Sequence, residues 1–216
     1  MVPLFRKIHI FLKASFKEYL DKKCVLLKVA SVANDFLPPT GVLRRLYATD
    51  QVAKFIQDIL QLETIYRVVD PIACMFVNLA RPGWPTVDPW HFDESPFAAT
   101  ILLQKPDSNG DFETTLPIRN GHGRGFVCET KEDEVAEMKH YEEMQLIFEG
   151  QADHLVTKLS FEPGQLNLFQ GRECLHRVTP CQGTKDRMVA VLNYSPFPGM
   201  RKSKEVQEMF WGRSSD

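Results

Sequence analysis

The run Trp90-His91-Phe92-Asp93-Glu94-Ser95 holds the residues best suited to chemistry. On an extended strand, residues two apart share a face. His91 and Asp93 then point the same way and can hold one metal ion, with Phe92 packed behind. A third ligand must come from elsewhere in the chain. His176 is the candidate, in a second strand-like run, Gly171-Arg172-Glu173-Cys174-Leu175-His176-Arg177-Val178. Two imidazoles and one carboxylate on one face of an ion leave three octahedral positions open. An ion held that way is a reaction centre rather than a structural staple.

This donor set is the facial triad that suits non-haem iron(II). Alone, the His-x-Asp motif is weak: six His and 13 Asp in 216 residues give about 0.4 chance matches. A surface histidine beside a solvated aspartate is the bland alternative. His140-Tyr141-Glu142 is a decoy, because it falls in a charged stretch expected to be helical, where residues two apart do not face each other. Arg187 strengthens the case. It lies 11 residues after His176, past the turn Gln182-Gly183-Thr184-Lys185, and opens the last apolar run. Its guanidinium can pair bidentately with a carboxylate, the alternative being a strand-end salt bridge. By period two it shares a face with Val189, Val191, Asn193 and Ser195. That face passes from a cation through an apolar wall to two polar groups, which suits a pocket.

The elements that must position these residues follow from the rest of the chain. The composition is ordinarily globular, 44% apolar and 25% charged with net charge -2. That excludes disorder and a disulfide knot, and it gives no basic field for nucleic acid. A chain of this size buries roughly 70% of its unfolded surface, so its core does not depend on a metal. Five cysteines without a C-x-x-C read as free thiols. Phe5, Ile8, Leu12, Phe16 and Leu20 predict an amphipathic helix over 4–22, and a second helix starts near Asp50 with Val52, Phe55, Ile56 and Leu60 on one face. From residue 71 the character changes. Short strand-like runs at 73–80, 98–105, 155–161, 165–170 and 187–195 alternate with Gly/Pro turns. Residues 129–149 carry eight acids and two lysines and read as a charged helix or lid inserted between strands. Helices followed by many antiparallel strands predict a mainly β fold with flanking helices, a sandwich or jelly roll with an N-terminal helical layer. The expected layout is one domain over 1–216: a helical layer at 1–70, a core at 71–200 with an insert at 118–150, and a C-terminal helix at 201–216.

Together these residues resemble the iron(II)- and 2-oxoglutarate-dependent oxygenase family. The resemblance rests on His91-x-Asp93, His176 and the His-x10-Arg spacing to Arg187. It extends to Gly110-Asp111-Phe112-Glu113, to Pro163-Gly164-Gln165-Leu166-Asn167-Leu168-Phe169, and to His176-Arg177-Val178-Thr179-Pro180. The wording Trp-His-Phe-Asp-x-Ser-Pro-Phe, with Asn-Tyr-Ser after the arginine, is similar to a subgroup of free amino-acid hydroxylases and halogenases. The resemblance covers about residues 70 to 200. It implies a double-stranded β-helix with Fe(II) on His91, Asp93 and His176. It also implies 2-oxoglutarate with its far carboxylate on Arg187, and dioxygen as the other co-substrate. Thr100 is a candidate hydroxyl contact to the co-substrate. The reaction implied couples decarboxylation of 2-oxoglutarate to hydroxylation of an unactivated C–H bond. Halogenases of the subgroup carry a small residue where Asp93 stands, so hydroxylation is expected here.

A small-molecule substrate is expected, a free amino acid, with basic ones the first candidates. Glu94 is a candidate partner for an amine, or else a solvated strand-end carboxylate. Asn193 and Ser195 are candidates for the amino-acid backbone, or else turn residues before Pro196. Trp211 either closes the pocket from the C-terminal helix or packs there. A prolyl-type protein hydroxylase and an inactive jelly-roll binding protein are the competing readings. The presence of the whole donor set argues against the second. No nucleic-acid or membrane partner is expected, since no run of about 18 apolar residues occurs. The location expected is cytoplasmic. A mitochondrial presequence is the lesser alternative, because the first 17 residues lack acids. The loop Gly121-His122-Gly123-Arg124-Gly125 follows no strand-to-helix pattern and is not read as a nucleotide site.

Overall fold

The computed structural model describes residues 30–84, 88–118 and 142–215. The helix expected over 4–22, the glycine loop at 121–125, His140 and most of the acidic insert lie outside the described residues.

Two antiparallel sheets form the core. The larger contains β1 (Ala30–Val32), β3 (Met75–Ala80), β12 (Arg187–Ser195), β5 (Phe97–Gln104) and β9 (Leu166–Phe169), in that spatial order. A short strand β2 (Tyr66–Arg67) also pairs with β12. The smaller sheet runs β4 (Asp88–His91), β10 (Cys174–Val178), β7 (Phe112–Pro117) and β8 (Val156–Leu159). Strands β6 (Ser108–Asn109) and β11 (Cys181–Gln182) pair separately. All five strand-like runs in the sequence are strands here, and the fold is the expected jelly roll.

β12 is the centre of the larger sheet and is buried along its whole length. Its two faces do different work, as period two requires. Met188, Ala190, Leu192 and Tyr194 enter a core that Leu43, Tyr47 and Ile56 cover from outside. Those three come from α1 (Val42–Ala48) and α2 (Asp50–Ile59), which form the helical layer. The Tyr47 hydroxyl fixes that layer by donating to the Asn193 carbonyl at 2.6 Å. The opposite face of β12 carries Arg187, Val189 and Val191 into the space between the sheets.

Two expectations change. The first 70 residues are not purely helical, since β1 and β2 extend the larger sheet. Phe55 leaves the buried face of α2 and is 54% exposed, whereas Ile56 is fully buried. At 100° per residue Val52, Ile56 and Leu60 span one narrow arc centred on Ile56, and Phe55 stands about 100° from that centre. The end of the insert is helical over 142–148, labelled α3, and its Met144 and Ile147 pack with Trp90, Phe92 and Leu175. That cluster backs the strands that carry His91 and His176. The C-terminal helix, α4, spans Lys204–Trp211.

Candidate metal centre

β4 and β10 are register-paired so that His91 stands opposite His176. Their rings lie 4.2 Å apart between centroids. Asp93 follows the end of β4, and its backbone N–H donates to the Gly171 carbonyl at 2.8 Å. That bond fixes the backbone from which the carboxylate faces the two imidazoles. His91 Nε2 is 3.8 Å from Asp93 Oδ1, and His176 Nε2 is 3.8 Å from Asp93 Oδ2. These separations are too long for hydrogen bonds. They suit donor atoms that share one ion at about 2.0–2.2 Å each. One ligand atom from each residue lies within 4.8 Å of the others, and this is the one such group among the described residues.

Local chemistry prepares each donor. His176 Nδ1 lies 2.9 Å from the Cys174 carbonyl, which can only accept. Nδ1 therefore carries the proton, and Nε2 presents its lone pair to the site. Burial pushes the His176 imidazole down to about 4, against the opposing pull of the Asp93 carboxylate. At neutral pH the ring is neutral, as a ligand must be. Burial acts to raise the Asp93 carboxyl, but His176, Lys202 and His91 outweigh it and hold it below its ordinary value. Two neutral imidazoles and an ionised carboxylate are a fitting set for a divalent ion.

The donors open onto a cavity of about 60 Å³. Arg187 lines it and is 5% exposed, so the cation is delivered to the interior. Its stem lies against Gly110, where a Cβ would fall 3.2 Å from Arg187 Cδ. Thr100 lines the cavity as well, and so does Asn78, whose buried side-chain oxygen has no hydrogen-bond partner. A cation and a hydroxyl beside the donor set fit a chelating dicarboxylate such as 2-oxoglutarate, whereas the Asn78 oxygen can only accept and waits for a donor.

The remaining sequence candidates are placed differently from one another. Trp211 lines the cavity and donates from Nε1 to Ser31 Oγ at 3.1 Å. Glu94 is not among the lining residues. Its carboxylate accepts from Ser203 N at 2.9 Å and Ser203 Oγ at 2.5 Å, at the N-cap of α4. Those bonds use the carboxylate as a tie to α4, not as a partner for an amine. Asn193 and Ser195 also lie outside the cavity lining. Asn193 Nδ2 donates to the Ala73 carbonyl at 2.8 Å, and Ser195 Oγ accepts from Phe197 N at 3.0 Å. Sequence reasoning missed Asn78, Gly171, Phe76, Phe210 and Lys202. Gly171 and Lys202 left no signal in spacing, since each acts through a contact far away in sequence.

A two-sheet jelly roll with a two-histidine, one-carboxylate cluster between its sheets is the fold of the iron(II)/2-oxoglutarate oxygenases. AviO1 from Streptomyces viridochromogenes Tue57 is similar to the chain over 94% of its length and 89% of that protein's, with TM-score 0.54 and 13% identity. HygX from Streptomyces hygroscopicus, solved with nickel and 2-oxoglutarate bound, is similar over 94% and 82%, with TM-score 0.53 and 14% identity. At such identities the likeness speaks for the fold. No curated protein matches the chain in sequence. The family model described as Halogenase D matches residues 28–211, and the chain belongs to that family. None of the described helices is long and apolar enough to cross a membrane.

Proposed function

We propose that the chain is an iron(II)- and 2-oxoglutarate-dependent dioxygenase that hydroxylates an unactivated C–H bond of a small molecule. One observation carries this reading: His91, Asp93 and His176 converge within 4.8 Å on the wall of a cavity that also contains Arg187. Iron(II), with 2-oxoglutarate and dioxygen, supplies the oxidising power that removes hydrogen from carbon and returns a hydroxyl. The chain's residues do the rest. His91, Asp93 and His176 would hold the ion, three protein donors that leave positions for the co-substrates. Arg187 pairs with the distal carboxylate of 2-oxoglutarate, and Thr100 offers it a hydroxyl. Val189, Val191, Phe169 and Phe112 give the cavity apolar walls that keep water from competing. Trp211 and Phe210 close the end where a substrate carbon must be positioned.

Halogenation and hydroxylation part at Asp93. With an ion bound, its carboxylate would take the position that chloride would need, so hydroxyl transfer is the favoured outcome despite the family's description. A free amino acid or a similar compound is the substrate class that the subgroup resemblance supports. The test is succinate release on a substrate panel that begins with free amino acids, together with mass spectrometry of the products. Substrate-dependent succinate from the native chain, lost in His91→Ala and His176→Ala, is expected. Succinate formation unaffected by His176→Ala would remove the reading.

A further inference from the structure

Lys202 is a buried lysine in the candidate active site, 7% exposed and lining the same cavity as Arg187. Its ammonium lies 5.8 Å from the centre of the Phe76 ring. Among the described residues no carboxylate lies within ion-pair distance of that ammonium, and the negative charge acting with it is the Asp93 carboxylate that the metal ion would neutralise. Burying a lysine without a close ion pair is costly, so an anion brought into the cavity would be stabilised there.

The backbone at this position is tightly built. Asp70 is fully buried, and its Oδ2 accepts from Lys202 N at 3.0 Å and from Gln207 Nε2 at 2.6 Å. Its Oδ1 accepts from Ile72 N at 2.9 Å and Ala73 N at 2.8 Å. Four donors on one carboxylate clamp the 202–207 segment to the start of β3. The backbone from which the Lys202 side chain reaches Phe76 is therefore fixed by the fold.

Phe76, beneath the Lys202 ammonium, and Arg187 stand at different levels of the larger sheet. β12 pairs with β3 so that Arg187 faces Ala80 and Val191 faces Phe76. Four residues of strand separate those levels by roughly 13 Å. The five-carbon chain of 2-oxoglutarate spans only roughly 5 Å between its end carbons, at about 1.5 Å per bond. A co-substrate bound to Arg187 thus leaves the Phe76 end free. Charge also leaves room for an anion. A divalent ion outweighs Asp93 by one charge, and Arg187 and Lys202 add one each. 2-Oxoglutarate returns two negative charges, so the ion, the co-substrate and the charged groups lining the cavity sum to one positive charge, which an anionic substrate group would offset. The aromatic rings of Trp211 and Phe210 line the cavity with Phe76.

We propose that Lys202 receives the anionic end of the substrate, so that the enzyme selects small molecules bearing a carboxylate or a phosphate ester next to an apolar chain. This rests on the oxygenase reading above and sharpens its substrate class. It also sets the selecting charge at Lys202 rather than at Glu94, whose carboxylate is committed to Ser203.

The test uses protein loaded with nickel(II), which is redox-inert here, and saturating 2-oxoglutarate. Calorimetry and thermal shift are read with matched probes: norvaline, N-acetylnorvaline, norvalinamide and pentyl phosphate. Binding by norvaline and N-acetylnorvaline, with norvalinamide silent, is the expected pattern for a carboxylate. Binding by pentyl phosphate above both assigns the anion as a phosphate ester, which equally supports the proposal. Lys202→Met should weaken the anionic probes roughly tenfold or more, and Lys202→Arg should restore part of that. Lys202→Gln serves as a second neutral variant, and the Asp70 contact survives in all three because it uses the backbone. The affinity for 2-oxoglutarate should stay within about twofold of native. Norvalinamide binding best, no probe binding the native protein, or anionic binding that survives Lys202→Met would overturn the proposal. Loss of 2-oxoglutarate binding in Lys202→Met would reassign Lys202 to the co-substrate and overturn it as well. Failure of the native protein to bind 2-oxoglutarate at all would instead sink the oxygenase reading.

Discussion

Replacing Gly171 with alanine should damage the metal centre without touching a donor. A Cβ built on Gly171 would fall 2.6 Å from Asp93 Oδ2 and 2.8 Å from Asp93 Cβ. Ordinary contact begins near 3.4 Å, so these atoms must part by about 0.6 to 0.8 Å. Part of the clash is with Asp93 Cβ, close to the backbone, so a rotamer change alone does not relieve it. The Gly171 carbonyl meanwhile holds Asp93 N at 2.8 Å, which limits escape by backbone drift. Metal sites tolerate about 0.2 Å in ligand distance, several times less than the shift required. Affinity for the ion should fall by roughly 10- to 100-fold, the range for groups that orient a ligand. The stability cost should be about 1–3 kcal/mol, as for other overpacked sites. Anaerobic titration with nickel(II) by calorimetry reads the first quantity, and urea unfolding of the metal-free protein reads the second. Native metal affinity in a folded Gly171→Ala protein would refute the placement of Asp93 at the ion.

Three further outcomes follow from the same geometry. Arg187→Ala should raise the 2-oxoglutarate requirement by about 2–5 kcal/mol while leaving iron affinity near native, and Arg187→Lys should recover only part, because a point charge cannot replace a planar bidentate donor; an unchanged requirement in Arg187→Ala would contradict its role. In the metal-free protein, His176 has a folded value of about 4 against 6.5 unfolded. The unfolded chain takes up its proton first, so stability is fully present above about pH 6.5 and falls as pH drops toward about 4, by roughly 3 kcal/mol. Urea unfolding across that window should show the loss, and His176→Phe should lack it; a flat native profile would contradict a buried neutral ring. Asp93→Gly should abolish or greatly weaken hydroxylation while opening a position for chloride or water. A chlorinated product from the native chain, read by mass spectrometry with chloride present, would show that Asp93 does not occupy that position.

Much of the centre was legible because its parts announce themselves locally. His91 and Asp93 sit two apart, and Arg187 opens a run whose alternate residues, Val189 and Val191, line the cavity as period two requires. The same period sends Asn193 and Ser195 to that side of β12 but not into the cavity, because periodicity gives direction and not depth. Glu94 illustrates a different limit. A carboxylate beside the donors reads as a substrate contact until Ser203, 109 residues away, is seen to bond it. Lys202 and Gly171 depend on contacts of that long-range kind throughout. Phe55 was misread by one helical position, the resolution at which an apolar stripe ceases to tell inside from edge.

The central claim is that His91, Asp93 and His176 hold an iron(II) ion to which 2-oxoglutarate chelates. Anaerobic addition of iron(II) and then 2-oxoglutarate to the full chain, followed by visible absorption, tests it most directly. The native protein should develop a charge-transfer band that saturates at one iron per chain. His176→Ala, folded by circular dichroism, should show none. No band in the native protein at saturating iron(II) and 2-oxoglutarate, or an undiminished band in His176→Ala, would contradict the account.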